Sequence, residues 1–192
     1  MNHSIETIEK ALEYLMQENM VYCEHSALYD LNQKLLETDK EFLEAPASAK
    51  HHHAYVGGLL IHTAQVWNTA DAMLWTLKKV KWTEVFTAVL WHDWGKIYDY
   101  ELKWPEQPGA YYPDGKYRHT EHRDRIGHLP RSYAEFYARA RDLITKEEMD
   151  TIAHIMLAHH GRLDWRSPII PQTAEAWCVH AADMLSAQYV GA

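Results

Sequence analysis

The chain has 192 residues, 47% of them hydrophobic and 24% charged, with a formal net charge of −8. This balance predicts one globular domain over residues 1–192 and argues against a membrane span, which needs about 20 apolar residues in a row. The negative charge argues against extended duplex binding, because non-specific nucleic-acid binders usually carry a basic surplus. The polar start MNHSIETIEK and only two cysteines predict a cytoplasmic protein with neither a signal peptide nor a disulfide framework.

Apolar spacing predicts helices through the first half of the chain. Leucine and isoleucine recur every three or four residues over 5–15 and 28–35, in a segment (1–44) of N-terminal helices. A third helix is predicted over 59–77. Thr83 is expected to cap a fourth helix that carries an apolar run to its end near Gly95.

The second half begins with a predicted loop over 99–118, which contains three prolines and two glycines and is a candidate lid or substrate wall. Helical spacing resumes near Thr120, and Pro130 is expected to end or kink that helix before Ser132 starts the next one. Thr145 and Glu148 form a predicted capping box for another helix, and a last helix opens near residue 173. No alternating strand pattern is visible, so we predict an all-α bundle of about seven helices.

Histidine is the unusual residue, with 14 in the chain, and imidazole is the commonest metal-ligating side chain. The candidate ligands lie on five predicted helices: His62, His92, Asp93, His128, His159, His160 and Asp183. Helical bundles build metal sites from inward-facing side chains on facing helices. Imidazole and carboxylate without thiolate favour Mn, Fe, Ni, Co or Zn, and argue against a structural zinc site made of cysteines.

Each candidate alone has an ordinary structural explanation. A single His62 on an apolar face is more often a core histidine, and Asp183 alone could be a surface carboxylate. The His159-His160 pair could simply end a helix, where a cation suits the dipole. It is much harder to explain all of these residues in ordinary structural terms at once than to explain any one of them.

Taken in order, these residues resemble the HD-domain metal-dependent phosphohydrolases, whose pattern is His…His-Asp…Asp. The resemblance is closest to the HD domains of bacterial 3′→5′ exoribonucleases and of a relaxase/helicase family of mobile elements. Five stretches carry it: HHHAYVGGLLIHT (51–63), HDWGK (92–96), GH (127–128), AHHG (158–161) and HAAD (180–183). The motif-bearing core covers about residues 45–188.

The resemblance implies an all-α fold and a centre of two divalent ions per chain. One ion would be held by His62, His92, Asp93 and Asp183. The second would take His128 and the His159-His160 pair, with Asp93 bridging; which histidine of that pair is a ligand stays open. Lys96 matches the lysine of HDxGK, which lies near the scissile phosphate in the family.

The sequence also departs from the family. The exoribonucleases carry an added OB-type RNA-binding module, and no such strand-rich segment occurs in these 192 residues. The usual YTxEGxLIGH is HTEHRDRIGH here, so His122 and Arg123 replace Glu and Gly, which would change what the pocket accepts. The GYP signature of cyclic-di-GMP phosphodiesterases is absent after AHHG.

These residues lead to a predicted function. We expect a metal-dependent phosphodiesterase that cleaves a nucleotide phosphodiester with a metal-activated hydroxide, Asp93 and Lys96 being catalytic. The substrate would be a short single-stranded 3′ end, a small oligonucleotide or a cyclic dinucleotide. The candidate substrate contacts are Lys96, His122, Arg123, Arg125, Trp104, Tyr111 and Tyr112, against the alternative that the arginines are plain surface. Trp91 and Trp177 are expected in the core.

Two other functions stay open. A nucleoside mono- or triphosphate phosphohydrolase would usually have one metal ion and no His-His pair. A non-catalytic nucleotide-binding regulatory module would explain the fold, although the intact ligand set and Lys96 argue against it. Exposed aromatic residues make a homodimer plausible, and no membrane partner is expected.

Overall fold

The computed structural model describes residues 5–103 and 116–190, and most of these residues are helical. The α-helices in these ranges are α1 (Ile8–Cys23), α2 (Leu28–Thr38), α3 (Lys40–Glu44), α4 (Gly58–Leu74), α5 (Trp82–Trp91), α6 (Glu121–Arg125), α7 (His128–Ala140), α8 (Lys146–Ala158) and α9 (Ala174–Leu185). The predicted all-α class is confirmed. None of the described helices is both long and apolar enough to cross a membrane.

The core forms around α4 and α5. Helix α4 packs against α1 and α9, and α5 packs against α8. Two tryptophans of these helices, Trp67 and Trp91, are fully buried. Each indole N–H is satisfied, from Trp67 to Glu18 (2.7 Å) and from Trp91 to Asn32 (3.0 Å), as buried indoles require. The core location predicted for Trp91 is therefore confirmed.

Two short strands were not predicted. Strand β1 (Tyr100–Leu102) pairs antiparallel with β2 (Tyr117–His119), with Tyr100 opposite His119 and Leu102 opposite Tyr117. The prediction that residues 99–118 form only a loop is therefore wrong at both ends of that range. Three residues are too few for an alternating pattern to stand out in a sequence.

Several helix ends follow the predicted capping. Thr145 accepts a hydrogen bond from the Glu148 backbone while the Glu148 side chain accepts one from the Thr145 backbone, so the capping box of α8 is confirmed. At the start of α9 the Thr173 side chain accepts a hydrogen bond from the Ala176 backbone, and at the start of α6 the Thr120 side chain accepts one from the Arg123 backbone, without a reciprocal bond. These threonines satisfy amide groups that the first helical turn leaves free.

Other predicted ends are wrong. Helix α5 begins at Trp82, and the Thr83 hydroxyl donates to the Tyr22 carbonyl (2.6 Å) instead of capping. The helix ends at Trp91, and Gly95 lies in a 3₁₀ turn over Trp94–Tyr98. Pro130 lies in the first turn of α7, where its missing N–H costs no hydrogen bond. The helix therefore starts at His128 and runs through Ser132.

Candidate metal centre

A first cluster of predicted ligands forms where α4, α5 and α9 meet. His62 lies in the second turn of α4, Asp183 is near the end of α9, and His92 and Asp93 directly follow α5. Nε2 of His62 lies 3.1 Å from Oδ1 of Asp183 and 3.4 Å from Oδ2 of Asp93. Nε2 of His92 lies 3.3 Å from the same Asp93 oxygen. All four residues are buried, with their ligand atoms within 4.8 Å of one another.

A second cluster brings together the start of α7 and the end of α8. His128 is the first residue of α7, and His159 and His160 follow α8. The Nε2 atoms of His128 and His160 lie 3.2 Å apart, and the ligand atoms of all three histidines lie within 4.8 Å of one another. The structure therefore brings both His159 and His160 to the centre.

Asp93 connects the two clusters. Its Oδ2 faces His62 and His92, whereas its Oδ1 lies 3.5 Å from Nε2 of His128 and 3.5 Å from Nε2 of His159. A carboxylate with each oxygen directed at a different set of nitrogen donors is placed to bridge two cations.

The five cluster histidines share one orientation. Each Nδ1 lies near an oxygen acceptor: Ser186 Oγ for His62 (2.9 Å), Val89 O for His92 (2.6 Å), Asp99 Oδ2 for His128 (2.8 Å), Met156 O for His159 (2.6 Å) and Trp165 O for His160 (2.8 Å). The Ser186 hydroxyl itself donates to Gln65, so it can accept from His62. These partners assign the proton to Nδ1 and leave the Nε2 lone pair directed into the centre.

The donor atoms of the centre lack the partners that buried polar atoms need. Nε2 of His62, Nε2 of His92 and both oxygens of Asp93 are buried without a hydrogen bond. Burial, with the charges of His159 and His128, lowers the pKa of His160 to about 3, and burial also lowers the pKa of His128. Both rings are then neutral, and their Nε2 lone pairs face each other at 3.2 Å. Such an arrangement suits cations, and an N/O donor set suits Mn, Fe, Ni, Co or Zn.

Lys96 is a buried cation beside this centre. Its side chain is 9% exposed, and Nζ lies 2.5 Å from Oδ2 of Asp93, although not in hydrogen-bonding geometry. Burial alone would lower the pKa of Lys96, but the interactions with Asp93, Tyr100 and Asp183 together outweigh it and keep the pKa above its ordinary value. Burial likewise disfavours the Asp93 carboxylate, yet Lys96 and His92 hold the Asp93 pKa well below its usual range. Both groups are therefore charged at neutral pH.

Gly95 explains how the HDWGK segment approaches α7. Its N–H donates to Ser132 Oγ (2.8 Å), and a Cβ built on Gly95 would lie 2.6 Å from the carbonyl oxygen of His128. Only a residue without a side chain allows this approach. The contact sets the distance between Asp93 and the start of α7, and hence between Asp93 and His128.

The predicted substrate contacts divide into three groups. Arg123 lines a cavity of about 280 Å³ that His128 and His160 also line, whereas Arg125 is absent from that wall and pairs with Glu121 (2.6 Å) at the surface. His122 contacts protein through both ring nitrogens, with Nδ1 at Asp99 and Nε2 accepting from Arg131. Trp104, Tyr111 and Tyr112 lie outside the described residues.

Sequence reasoning did not identify Asp99 and Ser186. Asp99 is fully buried and holds His128, while Ser186 holds His62 across 124 positions of the chain. Both are common polar residues outside the quoted motifs, so no sequence signal separates them from surface residues. The core location expected for Trp177 is wrong, because 52% of that residue is exposed.

The chain matches a known protein family and several curated proteins. The model of the HD domain family matches residues 59–188. The chain is 30% identical over 151 residues to the 3′-5′ exoribonuclease YhaM of Geobacillus sp. (strain WCH70), covering 78% of this chain and 43% of the relative. It is 31% identical to YhaM of Bacillus velezensis and 30% identical to YhaM of Bacillus subtilis, each over 78% of this chain and 45% of the relative.

The chain thus spans less than half the length of these curated relatives. No solved structure matches it significantly. The family model, however, covers more than half of the chain, and the residues it spans include both clusters. The chain belongs to the HD domain family.

Proposed function

We propose that the chain is a metal-dependent phosphohydrolase that cleaves a nucleotide phosphodiester. Its substrate would be a short single-stranded 3′ end, a small oligonucleotide or a cyclic dinucleotide. The observation that carries this proposal is the Asp93 carboxylate, whose two oxygens face two different histidine clusters. The relatives named 3′-5′ exoribonuclease support the choice of a phosphodiester.

Each of the two clusters would supply the ligands of one ion. His62, His92 and Asp183 would hold one ion together with Asp93, and the three histidines of the second cluster would hold the other. When bound, such ions lower the pKa of a coordinated water and neutralise charge on the phosphate oxygens. The Nδ1 partners fix each ring in the orientation that this binding needs.

Lys96 would stabilise negative charge in the reaction. Its ammonium group is fixed beside Asp93 in a largely water-excluded position, where a charge acts more strongly than in bulk water. Because neighbouring negative charge, chiefly that of Asp93, keeps Lys96 protonated despite its burial, it would act as a positive charge and not as a base. Asp93 would orient the reacting groups by holding both sites at a fixed separation.

A substrate panel tests the proposal. Protein loaded with Mn²⁺ is incubated with short RNA and DNA, linear and cyclic dinucleotides, and nucleoside mono- and triphosphates, and the products are separated by chromatography. We expect 5′-monophosphates from the phosphodiesters and a loss of at least 100-fold in Asp93→Asn, since a main electrostatic group is removed. Asp142→Asn is the matched control, because that side chain is 86% exposed in a loop.

Two other results would contradict the proposal. Release of phosphate or triphosphate from free nucleotides alone would assign a nucleotide phosphohydrolase. Nucleotide binding without turnover, with Mn²⁺, Fe²⁺ and Ni²⁺ each tested, would assign a regulatory binding module.

A further inference from the structure

Three aromatic rings form a row that begins at the wall of the cavity beside the second cluster. Trp165 lines this cavity, and its ring centroid lies 6.5 Å from that of His180. The centroid of the Trp177 ring lies 5.8 Å from that of His180. We call Trp165, His180 and Trp177 the aromatic row. Trp165 is 43% exposed and Trp177 is 52% exposed, so neither ring is explained as core.

The aromatic row is fixed relative to the second cluster. The Trp165 carbonyl accepts the hydrogen bond from Nδ1 of His160 (2.8 Å). Nδ1 of His180 lies 2.7 Å from the carbonyl of His159 and donates to it. Two residues of the aromatic row, Trp165 and His180, are therefore hydrogen-bonded to two candidate metal ligands, and the Trp177 ring contacts that of His180.

Positive charge accompanies the rings, although the whole chain is acidic. The Arg162 guanidinium lies 5.0 Å from the centroid of the Trp165 ring. Arg123 and Arg166 line the cavity together with Asp99 and Asp124, and Asp99 is hydrogen-bonded to His128 and His122. Arg162 pairs with Asp164 and Arg123 with Asp124. Arg166 has no ion pair within the described part of the chain, and its backbone is left-handed (φ 65°).

Many proteins bind single-stranded nucleic acid with exposed aromatic rings that lie next to positively charged side chains. Every base has a face that can stack on an aromatic side chain, and the backbone phosphates are attracted by neighbouring cations. We propose that the aromatic row stacks successive bases of a single-stranded oligonucleotide. The base nearest the centre would lie on Trp165, and a base further along the strand would lie on Trp177. The location of the scissile phosphate at the metal centre rests on the function proposed above.

The proposal makes the contribution of each ring depend on substrate length. Binding of adenosine di- and hexanucleotides with hydrolysis-resistant phosphorothioate linkages is measured by fluorescence anisotropy on the Mn²⁺-loaded protein. Trp165→Ala is expected to raise the Kd for both oligonucleotides by at least about fivefold, which is the smallest effect expected from the loss of one base–aromatic stack. Trp177→Ala is expected to raise the Kd by that factor for the hexanucleotide only. The Phe variants should retain most of the affinity, because they keep a ring.

Trp75→Ala provides the matched control. Trp75 is 68% exposed, but it follows α4 thirteen residues after His62, which corresponds to about 20 Å along a helix. Its removal should leave both affinities unchanged. Bound Mn²⁺ and the thermal midpoint, measured for every variant, separate loss of stacking from loss of structure.

Three outcomes would overturn the proposal. An unchanged hexanucleotide affinity in Trp177→Ala would show that no base stacks on Trp177. An equal effect of Trp177→Ala on both lengths would assign it a structural role. A dimer in sedimentation velocity that Trp177→Ala dissociates, with unchanged oligonucleotide binding, would assign the row to self-association. If the panel above shows no phosphodiester hydrolysis while the length-dependent binding holds, the proposed function fails and the aromatic row stands.

Discussion

Oδ2 of Asp99 lies 2.8 Å from Nδ1 of His128, although 29 positions separate them in the chain. Asp99 is fully buried, and its Oδ1 lies 3.0 Å from Nδ1 of His122, whose Nε2 accepts from Arg131. Burial would raise the pKa of Asp99, but the hydrogen bonds and charges of His128 and His122 outweigh this and lower it. A carboxylate therefore fixes the orientation of a candidate metal ligand.

Asp99→Asn is expected to weaken metal binding at the second cluster by about 10- to 100-fold, the usual effect of losing such a partner. Asparagine keeps the shape but has only one acceptor oxygen for two histidines. Titration calorimetry with Mn²⁺ should show two binding events, of which only the one at the second cluster has a higher Kd than in the unaltered protein. Equal loss at both clusters, or loss in the exposed control Asp142→Asn, would argue against a specific role of Asp99.

Bound metal should stabilise the fold. The buried atoms without hydrogen bonds and the facing lone pairs of His128 and His160 gain partners when cations bind. At a free Mn²⁺ concentration 100 times the Kd, the free energy of unfolding should rise by about 2.7 kcal/mol for one site. Urea unfolding with and without Mn²⁺ measures this. Mass spectrometry should find two ions in the unaltered protein and one in His128→Ala; one ion in both would exclude the second site.

Lys96→Met should destabilise the metal-free protein by roughly 3–5 kcal/mol, because it leaves the buried Asp93 charge without its cation. Lys96→Arg keeps the charge and should cost less. Urea unfolding in the presence of a chelator gives both values. Added Mn²⁺ should recover much of the loss in Lys96→Met, since a bound cation replaces the missing charge. The same loss with and without Mn²⁺ would mean that packing, and not charge, is responsible.

Gly161→Ala should be more destabilising than Gly127→Ala. Both glycines have positive φ (74° and 78°), so each alanine brings backbone strain of about 1–3 kcal/mol. A Cβ at Gly161 would also lie 2.3 Å from the His180 ring, whereas at Gly127 its nearest neighbour is 3.5 Å away. Overpacking should therefore add about 1–3 kcal/mol at Gly161.

Urea midpoints of the two alanine variants test this difference. Adding His180→Ala to Gly161→Ala should recover part of the loss. Equal destabilisation of the two variants would show that His180 moves aside without cost.

Local sequence patterns determined the helices and the family of this protein. The capping box of Thr145 and Glu148 depends on side chains three residues apart, so it is visible in the sequence and present in the structure. The order of the His and Asp motifs likewise identified the candidate ligands before their positions were known. The capping box depends on near neighbours along the chain and the motif order depends on residue identities alone, so both can be read directly from the sequence.

Only the tertiary structure decided how these residues meet. That Asp93 directs one oxygen to each cluster depends on how α4, α7, α8 and α9 pack, and the partners Asp99 and Ser186 lie far from their histidines in sequence. The exposure of Trp177 was mispredicted for the same reason, since an apolar side chain is buried only if another element covers it. Contacts between distant segments follow from the sum of many weak packing interactions, and no short pattern in the sequence records that sum.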